Sequence, residues 1–149
     1  MTTRNRVAVM HGPNLDQLGK RDPEHYGELD FDGLERQVQS WARELGLEPI
    51  LFQSNHEGEF IEFLHRAPEQ ADALLVNSGA WSHYSWAIRD AVELTGLPAV
   101  EVHLSDVSNR EEFRKQSVFE GVVIDKIYGE KEQGYKRALE ILAERLGVK

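Results

Sequence analysis

The stretch that decides the fold is Ala73-Leu74-Leu75-Val76-Asn77-Ser78-Gly79-Ala80-Trp81-Ser82-His83. Four consecutive apolar residues, bounded by polar ones, read as a short strand buried on both faces. A glycine-containing polar loop follows, and a helical pattern then runs from about Tyr84 to Leu94. The same unit recurs on either side. Apolar runs lie at Val7–Met10, Pro49–Phe52, Ala99–Val102 and Val122–Ile127. Between the first two, Phe31, Leu34, Val38, Trp41 and Leu45 share one helical face, with Asp30 as N-cap and Gly46 as stop. A further helical pattern runs from about Glu57 to Arg66, and the last follows Gly134 and turns Tyr135, Leu139, Leu142 and Leu146 inward. Five short strands separated by helices, joined by right-handed crossovers, predict an α/β fold: a flavodoxin-like doubly wound sandwich with a five-stranded parallel sheet.

The bulk numbers agree with one domain over residues 1–149. The chain has 149 residues and no internal repeat or linker, and it is too short for a (β/α)₈ barrel of about 250 residues. It contains no cysteine, which excludes disulfides and thiolate-held metals. A net charge of −9 without a basic patch argues against a nucleic-acid partner, so an anionic small molecule would have to be held by a few local arginines. Val7–Met10 is too short for a signal peptide core or a membrane span, so the expectation is a cytoplasmic protein with no membrane partner.

In a doubly wound sheet, ligands bind beyond the carboxyl ends of the strands. Four successive strands here lead into His11-Gly12-Pro13-Asn14, Gln53-Ser54-Asn55-His56, Asn77-Ser78-Gly79-Ala80-Trp81-Ser82-His83 and His103-Leu104-Ser105-Asp106. Amides, imidazoles and hydroxyls thus collect at one edge, and a polar pocket is the inference. Ser54 or Asn55 reads as the cap of the helix that begins at Glu57. His11 and His56 lie at the pocket edge or serve as turn residues; His25 and His65 read as surface residues. His103 is the strongest proton-transfer candidate. Glu101 stands two positions earlier on the same strand face, where a carboxylate orients the imidazole and favours its charged form; the bland reading is an ion pair at a strand end. Asn77 precedes two small residues that admit a ligand close to the backbone. Gly19 to Gly27 is a polar, proline-interrupted loop of a length that suits a lid. It carries Arg21 and Tyr26, and a guanidinium beside a phenol favours the phenolate. From the residues alone, Tyr26 reads more readily as a surface-loop tyrosine packed on the domain. Arg114 either clamps a carboxylate or pairs with Glu111. No H-E-x-x-H motif is present, and nothing in the spacing of His83, His103 and Glu101 demands a metal, so none is expected.

Taken together, several segments resemble the type II 3-dehydroquinate dehydratases, the type II dehydroquinases. They are Gly12-Pro13-Asn14-Leu15, Leu18-Gly19, Arg21-x-Pro23-x-x-Tyr26-Gly27, Gln53-Ser54-Asn55-His56-Glu57-Gly58, Asn77-x-Gly79-Ala80 with Ser82-His83, Glu101-Val102-His103-Leu104-Ser105 and Arg110-Glu111-x-Phe113-Arg114. They occur in family order over nearly the whole chain. The resemblance implies a lyase of the shikimate or quinate pathway, working without cofactor by anti elimination through an enolate. It implies Tyr26 as base, Arg21 as its activator, Asn14 as enolate stabiliser and His103, oriented by Glu101, as acid. Asn77, Gly79, Ala80, His83, Leu104, Ser105 and Arg114 would hold the substrate. Asp90 would reach a neighbouring subunit's site in a homo-dodecamer built from trimers. The family usually has Asn at position 11, Asn at 16 and Pro at 78, where this chain has His11, Asp16 and Ser78. Those departures leave two alternatives: a paralogue acting on a related cyclic hydroxy-ketone acid, and a non-catalytic binder of the same fold.

Overall fold

The computed structural model describes residues 4–26 and 28–148. Its strands are β1 (Arg6–His11), β2 (Glu48–Gln53), β3 (Ala73–Asn77), β4 (Ala99–Val102) and β5 (Asp125–Ile127). Its helices are α1 (Pro23–Tyr26), α2 (Phe31–Glu44), α3 (Glu57–Gln70), α4 (Trp86–Thr95), α5 (Glu112–Lys115) and α6 (Gln133–Leu146). The five strands form one all-parallel sheet in the order β2-β1-β3-β4-β5. This is the predicted flavodoxin-like topology, and its switch point lies between β1 and β3.

Strand alternation divides the core into two layers. Val7, Val9, Ala73, Leu75, Val100 and Val102 face α2 and α6, where they meet Leu34, Val38, Trp41, Leu139 and Leu142. Ala8, Met10, Leu74, Val76 and Ala99 face the other way, onto Phe60, Phe63, Leu64, Ile88 and Val92 of α3 and α4. Consecutive residues of one strand therefore enter different cores, so the strands read as apolar runs without alternation. Among the described residues, no helix is long and apolar enough to cross a membrane.

Local chemistry sets the boundaries. Asp30 caps α2 by accepting from the Gly33 N–H at 2.7 Å, and Gly46 takes the left-handed conformation just past its end. α4 starts later than expected, at Trp86, because Ser85 caps it by accepting from the Ile88 N–H at 3.1 Å. α3 continues beyond Arg66 to Gln70, since Pro68 removes only one hydrogen bond in its last turn. β5 is shorter than the apolar run predicted: Val122 and Val123 turn back onto the Phe119 carbonyl and pack against the second core. The segment expected as a loop between Gly19 and Gly27 contains the one-turn helix α1, with Pro23 in the first helical position where its missing N–H costs nothing. Gly27, the far boundary of that segment, lies outside the described residues.

Candidate active site

The loops after β1 and β3 diverge at the switch point and form the floor of a cleft. They lie so close that a Cβ at Gly12 would stand 2.5 Å from the Ser78 carbonyl oxygen, which explains the glycine. The Gly12 N–H donates to the Asn77 carbonyl at 2.8 Å. Asn77 is buried, and its side chain is fixed at both ends: Nδ2 donates to the Tyr135 hydroxyl at 2.9 Å, and Oδ1 accepts from the Gly79 N–H at 3.2 Å. Burial pushes the Tyr135 phenol up, so it stays protonated. Asn14 adopts a left-handed backbone conformation, φ 69°, and its N–H donates to Asn55 Oδ1 at 2.9 Å. Gln53 Nε2 donates to the same oxygen at 3.3 Å and to the Gly12 carbonyl at 3.2 Å. Asn55 therefore braces Asn14 and does not cap α3; His56 occupies that cap position without a side-chain bond.

β4 supplies the histidine and its carboxylate. Glu101 is fully buried, and its Oε2 lies 2.6 Å from His103 Nε2. Burial pushes the Glu101 carboxyl up, but the bond to His103, helped by Ser117 and Lys126, overcomes this and holds it below its usual range. An ionised Glu101 accepts from His103 Nε2–H, which leaves Nδ1 as the other nitrogen of a ring that lines the cleft. The His83 ring stacks on it, centroids 5.9 Å apart and planes at 15°, and its Nδ1 lies 2.7 Å from the Gln116 carbonyl. Burial pulls His83 below its ordinary value, so this ring is neutral, with Nδ1–H donating to Gln116.

The base candidate comes from α1. Tyr26 Oη accepts from Arg21 Nη2 at 2.6 Å and from Arg110 Nη1 at 2.5 Å. The Arg21 guanidinium also lies 3.7 Å from the centre of the Tyr26 ring. Two guanidiniums thus converge on one phenol oxygen, each as a charged hydrogen-bond donor. Arg110 Nη1 also donates to Ser105 Oγ at 3.3 Å, tying α1 to the loop after β4. Arg114 lines the cleft and pairs with Glu111 at 2.6 Å, the second of its two predicted partners.

Eleven of the predicted residues line this one cleft: Asn14, Arg21, Tyr26, Asn77, Gly79, Ala80, His83, His103, Leu104, Ser105 and Arg114. Glu101 stands behind His103. Asp90 does not join them; it is exposed on α4 and lines no part of its own chain's cleft. His11 is not at the pocket edge but fully buried, with Phe31 edge-on at 5.1 Å and Tyr135 stacked at 5.6 Å. His25, expected at the surface, is half-buried on α1, edge-on to Tyr26. Neither Asp16 nor Ser78 lines the cleft. Sequence reasoning left Arg110 and Ser117 without a role and read Tyr135 only as an inward-facing residue of the last helix, where its hydroxyl meets Asn77. Only Arg110 had a signal, as a second guanidinium four positions before Arg114 in the loop after β4. Among the described residues, no group of three or more His, Cys, Asp or Glu is arranged to hold a metal ion.

The cleft encloses about 100 Å³, small beside the roughly 300–1,000 Å³ of sites for drug-sized ligands. Three arginines line it in a chain of net charge −9. A small anionic molecule suits both facts.

The geometry agrees with the kinship of the chain. Residues 5–143 match the family described as dehydroquinase class II. A 3-dehydroquinate dehydratase of Pelotomaculum thermopropionicum is 46% identical over 143 residues, which cover 96% of this chain and 99% of that protein. One of Thermotoga neapolitana is 49% identical over 135 residues, covering 91% and 92%. Among solved structures, the type II dehydroquinase of Butyrivibrio crossotus superposes with a TM-score of 0.91 at 36% identity, over 95% of this chain and 99% of that one. A 3-dehydroquinate dehydratase-like protein of Bifidobacterium longum gives 0.71 at 29%, over 96% and 98%. A match over nearly the full length, with the cleft at the switch point of the same sheet, establishes that the chain belongs to the class II dehydroquinases.

Proposed function

We propose that the chain dehydrates 3-dehydroquinate to 3-dehydroshikimate by anti elimination through an enolate, in the shikimate or quinate pathway of the cytoplasm. The observation that carries this reading is the pairing, in one cleft, of a phenol held by two guanidiniums with an imidazole held by a buried carboxylate. A proton α to a ketone is weakly acidic, so its removal needs a strong base and a stabilised enolate. Tyr26, as phenolate, takes that proton. Arg21 and Arg110 aim their guanidiniums at its phenol oxygen, and Asn14 receives the enolate oxygen, either directly or through water. The imidazolium of His103 then gives its Nδ1 proton to the hydroxyl, the C–O bond breaks, and water leaves. His103 retains Nε2–H on Glu101 throughout, so its ring does not turn between steps. Asn77, His83, Ser105 and Arg114 hold the substrate's carboxylate and hydroxyls, with the Gly79, Ala80 and Leu104 wall behind them. Asp90 completes a neighbouring subunit's cleft within a homo-dodecamer built from trimers.

The product is a conjugated enone that absorbs in the ultraviolet where the substrate does not. Purified protein with 3-dehydroquinate is expected to show a rising absorbance that survives chelator and borohydride. Tyr26→Phe is expected to lower kcat by about 10²–10⁴-fold, the usual range for a lost proton-transfer group, while ligand binding persists. A flat trace from folded wild-type protein would move the assignment to a related cyclic hydroxy-ketone acid. Binding without turnover of any such substrate would make the chain a non-catalytic binder.

A further inference from the structure

The segment 116–118 carries no part of the cleft, yet it touches one of the stacked histidines, His83, and the carboxylate that holds the other. The Gln116 carbonyl accepts from His83 Nδ1 at 2.7 Å. The Val118 N–H donates to the Ser82 carbonyl at 2.8 Å, which fastens the segment to the turn that bears His83. Between them, Ser117 Oγ lies 2.7 Å from Glu101 Oε1, the oxygen that His103 does not use. The Phe119 N–H donates to Ser117 Oγ at 3.1 Å. Glu101 is ionised and can only accept, so the one hydroxyl proton of Ser117 points at it.

From this geometry we infer that Ser117 is a positioning residue for the acid of the proposed reaction, acting on His103 through Glu101. The inference rests on the assignment of His103 as acid. Glu101 is fully buried, and His103 and Ser117 are the side chains that hydrogen-bond its carboxylate among the described residues. From β3 the residue opposite it is the apolar Val76; from β5 it is Lys126, and from its own strand end His103. Without Ser117, one oxygen of a buried carboxylate loses its hydrogen-bond donor. Such an oxygen binds a proton more readily, and a protonated Glu101 is a weaker acceptor for His103 Nε2–H. The chain Phe119 N–H, Ser117 Oγ–H, Glu101 and His103 Nε2–H thus fixes which nitrogen of the acid faces the substrate. The Gln116 carbonyl does the same for His83 from the adjacent residue.

Two variants test this, Ser117→Ala and Ser117→Thr, the second keeping the hydroxyl. In Ser117→Ala, kcat for 3-dehydroquinate is expected to fall about 10-fold or more with KM within about twofold, the scale of lost outer-sphere partners. The acid limb of its kcat–pH profile moves to higher pH, because Glu101 now protonates earlier, and Ser117→Thr restores both. In ligand-free protein, ¹⁵N-imidazole NMR shows the Nε2–H form of His103 in wild type and in Ser117→Thr, and a loss of that single form in Ser117→Ala. An unshifted acid limb and unchanged imidazole spectrum in Ser117→Ala would overturn the inference, as would equal losses in both variants. The NMR arm needs no substrate, so wild-type protein inactive on 3-dehydroquinate would sink the proposed function and leave Ser117 to be judged separately.

Discussion

Arg110 reaches Tyr26 across 84 positions of sequence to make the shorter of its two guanidinium contacts. If Tyr26 is the base proposed above, removing one charged hydrogen-bond donor costs roughly 1.5–3 kcal/mol, so Arg110→Ala should lower kcat by about 10- to 150-fold in steady-state kinetics, with Arg21 still present. No rule of spacing could have joined these two residues, because the contact exists only once the α1 segment folds over the loop after β4. His11 makes the complementary case. Its type and strand position are plain in the sequence, but its environment is not: both ring nitrogens are buried without a hydrogen-bond partner. Burial pulls its pKa down to about 4. An unfolded histidine titrates near 6.5, so as pH falls from about 6.5 to about 4 the unfolded state gains protons that the folded state refuses. That window costs at most about 3 kcal/mol of stability. His11→Asn should flatten the fall of Tm across it; equal pH slopes for both proteins would show that His11 does not titrate this way.

At the scale of elements, the start of β1 is tied to the start of β3 by one ion pair. The Arg6 N–H donates to Asp72 Oδ2 at 2.9 Å, and its guanidinium reaches both carboxylate oxygens at 3.2 Å. Burial pushes the Asp72 carboxyl up, but the Arg6 bonds outweigh it and hold the group below its usual value. The stabilisation is therefore complete above the unfolded carboxylate value of about 3.9 and fades as pH drops through the lower folded value. Asp72→Asn should cost about 1 kcal/mol at neutral pH, since the Arg6 side is partly exposed, and the deficit should vanish in strong acid. Denaturant melts at both pH values check it. Elements themselves were legible where a cap or an alternation of layers marked them, as with Asp30 and Gly46 around α2. They were not legible where an apolar run served two purposes, as at Val122–Val123, or where a one-turn helix such as α1 gains its order from packing.

Asp90 belongs to the scale of the whole molecule. It is exposed and apart from its own cleft, with Trp86 and Leu94 of the same helix also exposed. In the proposed assembly it serves a neighbour. Light scattering should then give a particle far larger than 17.0 kDa, and mixed oligomers of Asp90→Asn and Tyr26→Phe chains should recover activity that neither parent shows. A stable, fully active monomer would refute the shared cleft. By itself the sequence determined the parallel sheet, its layers and the edge where polar residues gather, because strand burial and loop chemistry are local properties of short segments. It also determined the pair Glu101 and His103, whose spacing of two on a strand puts them on one face. Only the tertiary structure decided that Tyr26 sits between Arg21 and Arg110, that Tyr135 holds Asn77 and that Ser117 holds Glu101. Each of the last two contacts, like that of Arg110 with Tyr26, joins residues from different elements, and their approach is set by how helices and loops close over the sheet.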